Sequence, residues 1–368
     1  MPIEILEKLV SIGSQNPPGA LVTSGGTEIL EYVANFLQKI PRATVIRQSL
    51  SSTKGNVIAI FGSPQILVNA HLDTVPTQSL WRSNPFKLIK KGKNLYGLGA
   101  CDVKGGVASI LSAILEHPPH NLALLFNSDE EYGNNDCVLA FLKTTLAKNI
   151  KYAIITEPTN LNVATSHKGT YTFEITFTGK SAHSSIPEKG INAIEIAAGF
   201  ITYLKKYKTK ILKRRCKELG TPTLNIGVIN GGIKANIVPE RCVIKVNRRT
   251  LPGRDDLDVF RELRNVLGEY DKRLPKLAKT SIVNTFGLPP LETRDNSAIA
   301  KLLLNCGAKQ LKKAVDFSTE ASLFASRGIQ GVVFGPGSIL QAHTSNEFVS
   351  IKQLEKAKKI YINMFSKI

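Results

Sequence analysis

Four short runs of this chain are apolar without alternation: QILVNA (65–70), LALLFNS (122–128), YAIIT (152–156) and GVVFG (331–335). A strand with one solvated face alternates apolar and polar residues, whereas a strand apolar throughout is covered on both faces. Between the first two runs lies GGVASILSAILEH (105–117), and between the second and third VLAFLKTTL (138–146). Both have apolar spacing that predicts a helix. Strand, helix and strand in that order predict an α/β fold: a mainly parallel sheet with helices on both faces. Sites in such sheets form beyond the carboxyl ends of the strands.

Each of these runs ends in groups that are costly to bury. The first leads into His71 and Asp73, the second into Asp129, Glu130 and Glu131, the third into Glu157, and the fourth toward His343. The intervals His71–Asp102, Asp102–Glu131 and Glu131–Glu157 are each about 30 residues, roughly one strand–helix–strand unit. Successive units would therefore deliver one group each to a common rim. Carboxylates brought together repel and partly protonate unless a cation neutralises them. The set His71, Asp102, Glu131, Glu157 and His343 combines imidazole with carboxylate, which suits Zn²⁺ or a similar divalent ion. Two histidines and three carboxylates exceed the needs of one tetrahedral ion. They suit two ions that share a bridging carboxylate, as in di-metal hydrolases.

Two neighbours complete this reading. On an extended segment, residues i and i+2 face the same way. Asp73 can then accept a hydrogen bond on its carboxylate from one nitrogen of His71 while the other nitrogen binds metal, fixing the tautomer. Adjacent side chains diverge, so Glu131 can bind metal while Glu130 faces the attacking water, takes its proton and passes it to the leaving nitrogen.

The pattern changes after about residue 165. TYTFEITFTG (170–179) alternates strictly, with Tyr171, Phe173, Ile175 and Phe177 on one face. NAIEIAAGFITYLKKY reads as a helix, TLNIGVINGG and RCVIKVNRRT as strands, and RDDLDVFRELRNVLGEY as a second helix. This predicts a small α+β domain at 165–278, inserted into a catalytic metal-binding domain formed by 1–164 and 279–368.

Charge raises a separate possibility. The chain carries 48 basic and 29 acidic residues, a net charge of +19. Such a balance brings nucleic acid or an acidic membrane surface into consideration. The densest basic stretch, KKYKTKILKRRCK (205–217), lies in a helical-looking segment, ITYLKKYKTKILKRRCKEL. It reads as a solvated helix face. Neither an aromatic-interleaved RNA platform nor zinc-finger spacing accompanies it, so no specific nucleic-acid partner is expected. No apolar run approaches the roughly 18 residues of a membrane span. The first 20 residues lack the basic-then-apolar order of a signal peptide, and read as a helix ended by Asn16-Pro17-Pro18. Five cysteines without a close Cys-x-x-Cys pair predict free thiols and a cytoplasmic location.

NAHLDTVP, YGLGACDVKGG, NSDEEYG, ITEPTNL and GPGSILQAHTSNE together resemble, in order, the motifs of the M20 family of metal-dependent amidohydrolases and exopeptidases. SHKGTY, GKSAHSS, GINAIE, PTLNIGVINGG, RTLPG and STEA are most similar to its acetylornithine deacetylase branch, with succinyl-diaminopimelate desuccinylases as the nearest sisters. Ser318 stands where those deacetylases often carry Cys.

The resemblance implies a catalytic domain plus a lid that commonly forms a homodimer. It implies two divalent ions, Zn²⁺ or Co²⁺: one held by His71 and Glu157, the other by Glu131 and His343, with Asp102 bridging. Glu130 would be the general base, and the peptide after Asp102 would be cis. His183 would support the oxyanion, often at the partner's site. Asn236 and Arg249 would hold the carboxylate or carbonyl end of a small N-acyl amino acid. N-acetylornithine is the first expected substrate, with succinyl-diaminopimelate or a dipeptide as alternatives. Cys101, beside the bridging position, reads as a small filler rather than a ligand. His167 reads as a structural residue, and His117 and His120 as loop residues.

Overall fold

The computed structural model describes residues 2–16, 26–77, 81–131, 135–253 and 256–368. The chain forms two compact units: Met1–Ser166 with Glu292–Val315 and Thr319–Ile368, and His167–Leu291 with Asp316–Ser318.

The first unit is built on a mixed sheet. Its strands β1 (Thr44–Ser49), β2 (Gly55–Phe61), β3 (Ile66–His71), β4 (Leu122–Asn127) and β5 (Tyr152–Ile155) lie in the order β1-β2-β4-β3-β5, followed by Gln330–Val333. β3 runs parallel to both β4 and β5, and Gln330–Val333 runs parallel to β5. β2 is antiparallel to β1 and to β4. The unalternating runs are thus the parallel strands, and every residue of β4 is buried.

Register sets the site. His71 pairs with Asn127, Asn69 with Ile155, and Val333 with Ile155, so four carboxyl ends finish on one edge. The helix Lys104–Glu116 is buried from Lys104 through Ile114 and shares a core with the helix Ile351–Phe365. Two glycines let it lie close to the sheet. A Cβ on Gly106 would stand 2.3 Å from Thr156 Cγ2, and one on Gly105 would stand 2.4 Å from the Ala100 carbonyl. The helix expected over 138–146 is broken instead into Asp136–Phe141 and Thr145–Asn149. The Thr144 hydroxyl causes the break: it donates to the Phe141 carbonyl at 2.7 Å and accepts from Ala147 N–H at 3.3 Å, capping a new helix. Pro17 and Pro18 lie outside the described residues, and the first helix, Pro2–Ser11, ends before them.

The second unit is an antiparallel sheet of β6 (Gly169–Thr178), β7 (Thr223–Gly231), β8 (Arg241–Thr250) and β9 (Lys279–Leu288), in the order β7-β8-β6-β9. Tyr171, Phe173, Ile175 and Phe177 of β6 are buried in one cluster with Phe200 and Ile211 of the helix Ala193–Leu212 and with Val259, Leu263 and Leu267 of the helix Asp256–Asp271. β9 pairs along β6, so the sheet continues past residue 278 and the unit runs to Leu291. The sequence pattern missed β9 because most of its residues are exposed or half-buried, leaving little apolar alternation to read.

The basic helix stops at Leu212, short of the expected 219, and the chain turns back through a bridge between Cys216 and Gly220. Lys205, Lys206, Lys208 and Lys210 are exposed while Tyr207 and Ile211 are buried, which is a solvated face. Among the described residues no helix is long and apolar enough to cross a membrane.

Candidate metal centre

The strand ends of the first unit bring two ligand groups together. His71 Nε2 lies 3.2 Å from Asp102 Oδ1 and 3.9 Å from Glu157 Oε1. His343 Nε2 lies 3.0 Å from Glu131 Oε1 and 3.4 Å from Asp102 Oδ2. The two oxygens of Asp102 therefore face different imidazoles. Within His71, Asp102 and Glu157, and again within Asp102, Glu131 and His343, one ligand atom from each residue lies within 4.8 Å of the others. Each group offers one imidazole nitrogen and two carboxylate oxygens, a donor set that fits a divalent ion. Cys101 belongs to neither group. Its buried thiol donates to the Ser338 carbonyl, and burial beside Asp102 and Glu347 pushes it well above the usual thiol range.

Electrostatics points the same way. Burial pushes the carboxyls of Glu130 and Glu157 well above the ordinary range, and neighbouring carboxylates push them further. Burial also raises Glu131, against the hydrogen bond from His343. For His71, burial favours the neutral ring, but the bond to Asp102 and the charges of Glu130 and Glu157 prevail and hold it well above the usual histidine range. His343 is pushed up to about 9 by its bond to Glu131. The cluster thus gathers more negative charge than it can carry unaided, and protons or cations must balance it.

Asp73 does not act as the sequence suggested. His71 Nδ1 bonds the backbone carbonyl of Asp73 at 2.9 Å, while the nearer carboxylate oxygen stands 3.6 Å away. That carboxylate is already engaged. It accepts from Glu130 N–H at 3.2 Å, Glu131 N–H at 3.0 Å and Asn16 Nδ2 at 3.1 Å. The carbonyl fixes the His71 tautomer, and the carboxylate holds the turn that presents Glu130 and Glu131. The Asp102–Val103 peptide is cis, as the motif resemblance implied.

Two carboxylates beneath the centre carry roles that the sequence alone did not reveal. Glu320 is fully buried and accepts from Asn69 Nδ2 at 2.6 Å and from Asn127 Nδ2 at 2.6 and 2.8 Å, tying β3 near its carboxyl end to the last residue of β4. Glu347 accepts three backbone N–H groups of the segment that carries Asp102. Both lie inside recognised motifs, STEA and AHTSNE, but neither ends an apolar run, which was the signal that marked the ligands.

The residues expected on the substrate side, His183, Asn236 and Arg249, belong to the second unit. His183 pairs with Ile237 in an isolated bridge, and Ser184 N–H donates to the Asn236 carbonyl at 3.1 Å, so the His183 and Asn236 segments run side by side. His183 is exposed, with Nδ1 2.7 Å from the Ser185 hydroxyl. The neighbours Arg248 and Arg249 are now distinguished. Arg248 is buried and donates to the carbonyls of Thr223 and Arg249. Arg249, on the other face of β8, donates to the Ser318 hydroxyl at 2.9 Å, which in turn donates to the Lys168 carbonyl. His167 is buried, with Nδ1 2.9 Å from the Lys168 carbonyl, and His120 Nδ1 lies 3.0 Å from Arg42 on the surface.

Comparison with known proteins decides the family. Residues 67–367 match the description "Peptidase family M20/M25/M40", a span that covers every proposed ligand. The chain belongs to the M20 family. M20 relatives of similar length include the N-acetyl-L-citrulline deacetylase of Xanthomonas campestris pv. campestris, 31% identical over 96% of this chain and 94% of its own. The acetylornithine deacetylase of Proteus mirabilis is 32% identical over 97% of this chain and 94% of its own. Among solved structures, an M20 family metallo-carboxypeptidase from Sulfolobus solfataricus superposes with a TM-score of 0.80 at 19% identity, over 99% of this chain and 98% of that one. The M20 membership and these relatives make the chain a metal-dependent amidohydrolase.

Proposed function

We propose that the protein removes the acyl group from an N-acylated amino acid, with N-acetylornithine, giving acetate and ornithine, as its first substrate. One observation carries the reading: Asp102 presents one oxygen to each of two imidazole–carboxylate groups, in a chain about 30% identical to acetyl-amino-acid deacetylases. The residues His71, Asp102 and Glu157, and Asp102, Glu131 and His343, would hold two divalent ions, Zn²⁺ or Co²⁺. Bound there, such ions supply polarisation of the amide carbonyl and a lowered pKa for water.

The chain's own residues do the rest. Glu130 carboxylate takes a proton from the attacking water and returns it to the leaving nitrogen. Asp73 holds the backbone of Glu130 and Glu131 so that base and ligand diverge. His183 would donate to the developing oxyanion. Arg249 offers a planar fork to the substrate carboxylate, and Asn236 a side-chain amide to its carbonyl end. We place the enzyme in the cytoplasm, where its free cysteines persist as thiols, and as a homodimer through the second unit.

Amine release from N-acetylornithine, N-acetylcitrulline and N-succinyl-diaminopimelate, measured side by side on metal-loaded protein, tests this reading. Preference for N-acetylornithine is the expected result. Preference for N-acetylcitrulline or for the succinyl substrate, or release from none of the three, would overturn the substrate and leave the hydrolase.

A further inference from the structure

We propose that Glu347 is a positioning residue for the metal centre, and that it governs one ligand group more than the other. The inference rests on the two-ion reading above. Glu347 is 1% exposed. Its Oε2 accepts from Gly99 N–H at 2.9 Å, and its Oε1 accepts from Cys101 N–H at 2.8 Å and Asp102 N–H at 3.0 Å. The Glu347 carbonyl also accepts from Gly97 N–H at 3.2 Å. One side chain and its own backbone thus gather four amides of the segment 97–102, ending at Asp102 itself. Bonds from amides to a carboxylate are shorter and stronger than neutral ones.

The other end of the tie is a turn that begins at Thr344, the residue directly after His343. Glu347 N–H donates to the Thr344 carbonyl at 3.2 Å, closing that turn. His343 sits at φ +56°, a left-handed conformation that a residue with a Cβ adopts only when its surroundings hold it there. Gly99, at φ +75°, has no room for a Cβ: one would stand 2.7 Å from Thr74 Cγ2. Both segments are therefore irregular backbone, and Glu347 locks one to the other.

The two ligand groups depend on this lock unequally. In the group of Asp102, Glu131 and His343, two of three ligands ride on the segments that Glu347 joins. In the group of His71, Asp102 and Glu157, only Asp102 does, and the other two stand at the ends of β3 and β5. Glutamine at 347 keeps the volume but turns an NH₂ toward a backbone N–H, so one side of the clamp is lost.

The test is stepwise titration of the chelator-treated full-length protein with Zn²⁺ by calorimetry, alongside thermal unfolding of the metal-free forms. Wild type takes up two equivalents. In Glu347→Gln the first equivalent binds within about threefold of wild type and the second at least about tenfold more weakly, the scale on which residues behind metal ligands act. Glu347→Asp keeps the charge on a shorter arm and falls between the two, which keeps the idea testable if the Gln form does not fold. Equal weakening of both equivalents, tracking the loss of metal-free stability, would mean a merely structural residue and overturn the proposal. So would two unchanged equivalents. A wild type that binds fewer than two equivalents would instead overturn the two-ion reading itself.

Discussion

In the first unit, β4 is buried along its whole length and the chain beyond it passes straight into Asp129, Glu130 and Glu131. In the second, β6 buries every other residue from Tyr171 on and ends at Thr178, which is exposed. The same chain thus uses two ways of ending a strand. The first unit stops β3, β4 and β5 against buried groups: carboxyls that burial and mutual repulsion push up, and the His71 imidazole, which neighbouring carboxylates push up against its burial. The second ends its strands on uncharged residues, exposed at Thr178 of β6 and Gly231 of β7 and buried at Thr250 of β8 and Leu288 of β9. A group that is expensive to hold, repeated at three neighbouring strand ends, marks chemistry; alternation marks packing.

Breaking each side of this comparison should give different signatures. The largest effect is expected from Glu130→Gln, which should lower kcat by something on the order of 10³-fold while leaving the metal content, measured by elemental analysis, unchanged. Loss of the metal would show that Glu130 is a ligand rather than the base. Next, Phe177→Ala, in the core of the second unit, should cost about 3–5 kcal/mol in denaturant unfolding. It should leave uptake of metal by the first unit intact.

The third signature is a pH slope in the metal-free protein. Burial raises the Glu320 carboxyl from 4.5 to about 7. The folded state therefore holds that proton more tightly than the unfolded chain does. Stability from this group is present below pH 4.5 and falls as pH rises through about 7, by on the order of 3 kcal/mol. Glu130 and Glu157 shift in the same direction, so Glu320→Gln should flatten the slope rather than abolish it in chemical unfolding across that window. A stability that instead rises with pH would mean that Glu320 is ionised and paired in the folded state. The smallest effect is expected from Arg249→Lys, which loses the fork but keeps the charge. It should raise KM about tenfold with little change in kcat, the scale of one weakened hydrogen bond to a charged group. An unchanged KM would remove Arg249 from the substrate site.

The strand ends were legible because parallel strands covered on both faces leave an unbroken apolar run, and the next polar residue is then conspicuous. His71, Glu131 and Glu157 follow such runs within a few residues, and Asp102 falls at the matching interval. What stayed hidden was hidden for physical reasons. The choice between the Asp73 carbonyl and its carboxylate depends on who else claims that carboxylate, and Asn16 lies 57 residues away in the chain. Glu320 reaches Asn69 across 251 residues, and Glu347 reaches Cys101 across 246. No local pattern encodes such pairings. β9 escaped notice because an edge strand with little buried surface has little alternation, and the break at Thr144 because a threonine cap competes with apolar spacing that favours one helix.

The central claim is that parallel strand ends deliver two ion sites which share Asp102. Titrating chelator-treated protein with Co²⁺, followed by its visible absorption, addresses it most directly. The account predicts that the signal grows to two equivalents in wild type, and that Asp102→Asn weakens both steps together. Saturation at one equivalent, or an Asp102→Asn protein that still fills two sites with unchanged affinity, would contradict it.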